Sequence, residues 1–148
     1  MAATLYPDVL GALFSHLRAS ADITALTSDR IGDDIKPSWG MQAAQNARYA
    51  VVVSGPLGGP GELGPALLGW RFDLTCYGPN KLSANTLMRT VLGYLVPQDR
   101  QQTSFTAAHA IVQSVAVEGG PNALIDPDTR WPYAVASLIV RFTGVPTP

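Results

Sequence analysis

The sequence is poor in the residues that carry most protein chemistry. It has one cysteine, Cys76, and two histidines, His16 and His109, in 148 residues. A single thiol can neither form an internal disulfide nor complete a cysteine-based zinc site. His16 lies beside the apolar stripe of a predicted helix, His109 precedes a predicted strand, and Cys76 falls on the inward side of another strand. We therefore expect all three to be structural, with no catalytic site and no cofactor.

Charge is also scarce and evenly balanced. Charged residues make up 14% of the chain, with ten Lys and Arg against eleven Asp and Glu. No basic stripe is present, so the electrostatic pattern of a nucleic-acid-binding domain is missing. The sequence also lacks a signal peptide pattern and any apolar run long enough to span a bilayer. These absences predict a protein made in the cytosol and without a membrane partner.

Metal ligands do not cluster in the sequence. The acidic pairs are Asp33–Asp34 and Asp126–Asp128. The second pair is faintly similar to the start of a calcium loop but lacks its later ligands and its closing Glu. We expect these carboxylates to cap turns through nearby backbone amides, and we predict no metal site.

The hydrophobic pattern predicts a single domain over residues 1–148 with two main helices. Apolar residues recur at helical spacing over 6–17 and again over 81–96. A short helical turn is expected from Asp22, with the Asp22 side chain as its cap. Either Asn80 or Ser83 is expected to cap the second main helix.

Strands are predicted from β-branched runs and from strict alternation. They cover 49–54, 67–77, 110–118 and 131–143, with a weaker extended edge near Ile31. Gly119–Asn122 is expected to be a turn and 123–130 a loop. The fold class that follows is α+β, a two-layer sandwich. It has a mainly antiparallel sheet of four to five strands and two helices on one face.

Residues 55–66 form a segment rich in glycine and proline, which we call the Gly/Pro arm. The stretch GPLGGPGELGP holds five Gly and three Pro in eleven residues, between two predicted strands. A phosphate-binding loop would lie before a helix and carry a Lys, so nucleotide binding is excluded. The arm is expected to be either a solvent-exposed hairpin loop or a segment that orders against a neighbouring subunit.

Several exposed residues are candidates for contact with a neighbour. Leucines on an exposed loop and aromatics away from the main core are typical of protein interfaces, although the aromatics could equally pack beneath a loop. The candidate interface residues are Leu57, Glu62, Leu63, Leu67, Trp39, Arg130, Trp131, Tyr133 and Arg141.

The layout resembles the tail-terminator or tail-completion family of long-tailed bacteriophages. The similar pieces are DITALTSDRIGDDIKP after the first helix, the strand YAVVVSG, GWRFDLTCYGPN before the helix LSANTLMRTVLGYL, and DPDTRWPYAVASLIVRF near the end. Together these pieces cover most of the chain. The long Gly/Pro arm departs from the family pattern.

The resemblance implies a structural virion protein at the head–tail junction. Such a protein would form a homo-oligomeric ring, expected to be a hexamer, at the head-proximal end of the tail tube. It would contact the tail tube protein and the head-completion or neck proteins, and DNA would pass through the ring without specific binding. The alternatives are a head-closure or neck adaptor protein and, in another class, a small monomeric ligand-binding domain.

Overall fold

The chain forms a curled β-sheet with three α-helices. The computed structural model describes residues 8–42, 48–58, 61–64, 67–96, 104–107 and 110–144. The helices are α1 (Val9–Arg18), α2 (Ala21–Thr27) and α3 (Lys81–Leu95), with a 3₁₀ turn at Pro37–Trp39. The strands are β1 (Ile31–Gly32), β2 (Ala50–Ser54), β3 (Gly61–Gly64), β4 (Leu67–Tyr77), β5 (Phe105–Ala107), β6 (Ala110–Ile125) and β7 (Pro132–Gly144).

Each helix begins at a side chain that accepts from a free backbone amide. The Asp8 carboxylate accepts from the amide of Gly11 at 2.9 Å, and Asn80 accepts from the amide of Ser83 at 2.8 Å. The prediction that Asp22 caps α2 is wrong, because Ser20 takes that position and accepts from the amide of Ile23. Both residues have a short oxygen-bearing side chain, so sequence alone did not separate them. The predicted start of the first helix, at residue 6, lies outside the described residues.

The sheet has the order β1-β2-β4-β7-β6-β5, and β3 pairs with the beginning of β4. Only the β1–β2 pair is parallel. The predicted α+β class and mainly antiparallel sheet are therefore confirmed. The described sheet has seven strands rather than four or five, and the described chain has three α-helices rather than two.

Alternation along the central strands sets the two faces of the sheet. Phe72, Leu74 and Cys76 of β4 are fully buried, and they pair across to Leu138, Ala136 and Ala134 of β7, as the sequence pattern predicts. The helices cover this face with apolar residues that lie along one side of each helix. The helix residues buried in this main core are Val9, Ala12, Leu13, Leu17, Ile23, Leu87, Met88, Val91 and Leu95.

The predicted turn at Gly119–Asn122 is wrong. Strand β6 continues through it to Ile125, and register shifts after Val117 and after Gly119 absorb the extra residues. Gly120 has φ of +80°, and a Cβ there would lie 2.6 Å from the carbonyl oxygen of Val135. The close approach of β7 therefore requires glycine at position 120. The turn that joins β6 to β7 lies instead at 126–130.

An earlier shift in β6 corrects one predicted core position. Between Val112 and Ser114 the register slips, so Val112 pairs with Phe142 while Val115 pairs with Val140. Strict alternation would place Ile111 on the same side as Val115, but Val112 is fully buried and Ile111 is only half-buried. A bulge of one residue moves every later side chain to the other face, which a strict alternation pattern cannot show.

Part of the Gly/Pro arm is strand rather than loop. The backbone of 61–64 pairs antiparallel with the beginning of β4. Nearer its start, the amide of Leu57 donates to the carbonyl oxygen of Arg71 at 2.8 Å, and the amide of Arg71 donates to the carbonyl oxygen of Gly58 at 2.7 Å. This edge position tolerates glycine and proline, because only one side of the segment has to pair.

Candidate assembly surface

His16 is enclosed by aromatic rings. Its imidazole stacks on Phe105, with ring centroids 3.8 Å apart, and on Tyr94 at 4.5 Å. Its buried Nε2 has no hydrogen-bond partner among the described residues. Burial lowers the pKa of His16, so the ring is neutral at pH 7. The predicted rim position is confirmed, and His109 lies outside the described residues.

Cys76 and the acidic turn have structural roles in the described chain. The Cys76 thiol is fully buried, and burial raises its pKa, which disfavours the reactive thiolate. The Asp126 carboxylate accepts from the amides of Asp128 at 2.8 Å and Thr129 at 3.1 Å, and these bonds lower its pKa. Among the residues described, no group of three or more His, Cys, Asp or Glu is arranged to hold a metal ion.

A second, smaller cluster that contains aromatic residues lies on the face of the sheet opposite the described α-helices. Met41, Ala50 and Trp131 are buried there, with Ile35, Trp39 and Tyr77 packed around them. The ring of Trp131 is only 7% exposed, so it serves mainly the subunit's own packing. A cavity of about 420 Å³ opens beside it, lined by Ile35, Lys36, Pro37, Gly40, Met41 and Gln42.

Other candidates lie close to this second cluster. Tyr133 is half-buried and its ring centroid is 5.7 Å from that of Tyr77. Arg130 is exposed and has φ of +64° in the turn before β7. Tyr133 lies on the opposite side of β7 from the buried Ala134. Trp131 packs beneath residues 35–41, which is the alternative that the sequence left open for these aromatics.

The remaining described candidates lie toward the other end of β4. Leu57 is 52% exposed and is held beside Arg71 by the backbone bonds given above. Arg141 is exposed and pairs with Gly69. From Arg71 to Tyr77 is about 20 Å along a strand at 3.3 Å per residue. The candidates thus form two separate groups, while the side chains of Glu62, Leu63 and Leu67 lie outside the part of the chain that is described.

The open face between these two groups is polar. Arg71 donates to the Ser137 hydroxyl at 3.3 Å, and that hydroxyl donates to Asp73 at 3.1 Å. The Arg71 guanidinium also lies 3.8 Å from a carboxylate oxygen of Glu118. Both partners of this ion pair are about half exposed, so the pair adds little stability and leaves the centre of the face hydrated.

An apolar groove between α3 and β6 was not predicted from the sequence. It has a volume of about 270 Å³ and is lined by Arg89, Leu92, Gly93, Val96, Val117 and Pro121. Val117 points to the helix side but is 39% exposed, because α3 does not cover the outer part of β6. The opening results from how α3 and β6 are placed relative to each other. No pattern in the sequence of α3 or β6 indicates that placement.

Among the described residues, no steric contact requires glycine at position 93 in the groove. It lies inside α3, and a Cβ at this position would meet nothing within 4 Å. Glycine inside a helix is about 1 kcal/mol less favourable than alanine. The residue therefore leaves room beside α3 at a cost to the stability of the isolated chain.

The comparisons with known proteins indicate the fold. A chain of a virion of a native gene transfer agent particle superposes with a TM-score of 0.63, covering 92% of this chain and 95% of that chain at 16% sequence identity. The α+β architecture is thus that of a chain found in a virion. No protein-family model matches the sequence, and no curated protein matches it. In the described residues, no helix is long and apolar enough to cross a membrane.

Proposed function

We propose that this chain is a structural virion protein that forms a ring, expected to be a hexamer, at the head-proximal end of a phage tail tube. In this role it ends tube polymerisation and joins the tail to the head. It acts by surface contact alone, without a catalytic or cofactor site. Its partners are copies of itself, the tail tube protein and the head-completion or neck proteins.

One observation carries most of the proposal. The superposition on the gene transfer agent virion chain extends over nearly the full length of both chains. Because the match covers nearly all of both chains, it compares their whole architectures and not only a shared fragment. The resemblance of the sequence to tail terminators rests on separate grounds, the residue pattern of individual segments, and points to the same kind of particle.

The distribution of candidate contacts also supports a ring. A closed ring of identical subunits repeats one heterologous interface, so each subunit needs two different complementary patches. The group at Leu57 and Arg141 is the candidate for one of these patches. The group at Trp39, Arg130 and Tyr133, at the other end of β4, is a separate candidate surface. The near-neutral charge of −1 suits a channel wall past which DNA slides without sticking.

The proposal is tested by assembly with the tail tube protein of the same phage. Tubes polymerised alone should vary in length. With this protein added, we expect growth to stop and electron micrographs to show one ring at one end of each tube. Unaltered tube growth, together with a strict monomer at high concentration, would exclude the tail-terminator role.

The same purified components separate the alternatives. A head-closure or neck adaptor should bind the head-side connector and leave tube growth unchanged. A small ligand-binding domain should remain a monomer with both partners. Sedimentation velocity on each mixture distinguishes these outcomes, because ring, connector complex and monomer differ several-fold in mass.

A further inference from the structure

We propose that the groove between α3 and β6 receives the Leu57 segment of the Gly/Pro arm from an adjacent copy of this chain. This inference rests on the proposed ring and identifies the contact that builds it. The occupant is a second copy, and the contact is head-to-tail, with the arm of one subunit in the groove of the next.

The two surfaces lie toward opposite edges of the same sheet. The Leu57 segment pairs with β4 on the side away from β7, whereas Val117 and Pro121 belong to β6, beyond β7. Three strand spacings, about 14 Å, separate the segment from β6. Because Leu57 is held to Arg71 by its backbone, it cannot fill the groove of its own subunit. An arm on one edge and a groove on the other give the heterologous geometry that closes a ring.

The two surfaces match in their chemistry. The groove offers apolar side chains from Leu92, Val96 and Val117, and Leu57 presents an exposed apolar side chain. At Gly93 the helix leaves open space that none of the described residues occupies, which permits a neighbouring backbone to approach closely.

Charge adds a second match. Arg89 is the charged residue among those that line the groove. Glu62 is the single charged residue in the Gly/Pro arm. An arm with one acid and a groove with one base favour this pairing over contact between two identical patches.

Cross-linking between two cysteine variants tests the contact directly. Leu57→Cys protein is mixed with Val117→Cys protein and treated with a short bis-maleimide; the native Cys76 is buried and does not compete. Thiols brought together in a complex meet at an effective concentration of about mM, so cross-linking should be on the order of a thousandfold faster than for unassociated thiols at µM concentration. The matched control replaces Val117→Cys by Leu82→Cys, since Leu82 is 75% exposed on α3 but outside the groove.

Two further variants test the groove itself. Gly93→Phe should fill the open space, leave the fold intact and abolish the cross-link, whereas Gly93→Ala should retain it. Arg89→Glu should slow cross-linking about two- to fivefold, and Glu62→Arg combined with it should restore the rate.

Equal cross-linking rates for the Val117 and Leu82 partners would overturn the inference. If those same variants still cap tail tubes as rings, the proposed function stands and the subunits meet elsewhere. If they neither cross-link nor cap tubes, and wild-type protein fails to cap them too, both proposals are wrong.

Discussion

The two faces of the sheet bury apolar side chains to very different extents. On the helix side, Phe72, Leu74 and Cys76 are fully buried in a continuous core. On the open side, the described residues bury a smaller apolar set, mainly a cluster around Met41, Ala50 and Trp131, with Val52 buried beside it on β2. The helix side therefore carries most of the stability of the subunit, while the open side, the sheet edges and the uncovered groove beside α3 are available for contacts between subunits.

The largest expected effect comes from the helix side. Phe72→Ala should lower the free energy of unfolding by about 3–5 kcal/mol, because the ring is fully buried and its removal leaves a cavity. Urea unfolding followed by far-ultraviolet circular dichroism measures the loss. Phe72→Leu is the control, and it should lose clearly less because it keeps most of the volume. If Phe72→Ala lost less free energy of unfolding than a variant on the open face, the helix side would not be the more stabilising of the two faces.

The alternation of β4 and β7 was enough to predict this main core. Every second residue of each strand is apolar, and the structure buries Phe72, Leu74, Cys76 and their partners in β7, since period-two alternation maps directly onto the two faces of a strand. The same logic failed in β6, where a bulge after Val112 shifts the period and Gly119–Asn122 stays within the strand. Proline is tolerated there because Pro121 lies on the outer part of β6, where no described strand requires its amide.

The candidate surface was predictable only in part. Exposure of Leu57 and Arg141 follows from local sequence, whereas burial of Trp131 depends on residues some 90 positions earlier in the chain. Strand β5 was missed because three residues give no pattern of their own. The groove beside Gly93 depends on how far α3 extends across β6, which is a property of the packed structure.

An intermediate effect is expected on the open face. Trp131→Ala should destabilise the subunit by about 2 kcal/mol, roughly half the cost of a comparable deletion in a closed core, because its cluster is small and borders a cavity. The same urea titration measures it. Trp131→Phe, which keeps an aromatic ring in the cluster, should lose less than Trp131→Ala. A loss from Trp131→Ala equal to that of Phe72→Ala would show that the two faces contribute alike.

The smallest effect is expected at the rim of the helix side, where His16 stacks between Phe105 and Tyr94. Burial lowers its pKa in the folded chain below the ordinary value of 6.5, so the unfolded chain binds the proton more tightly. The stability that the neutral His16 ring contributes is therefore fully present above pH 6.5. It is lost as the pH falls through the pKa that His16 has in the folded chain. Unfolding measured from about pH 7.5 to about pH 5 should show this decline in the wild type. His16→Phe keeps a stacked ring without a titratable group, so its stability should fall less over the same range. An identical pH profile for both proteins would show that the aromatic rings around His16 do not perturb its titration.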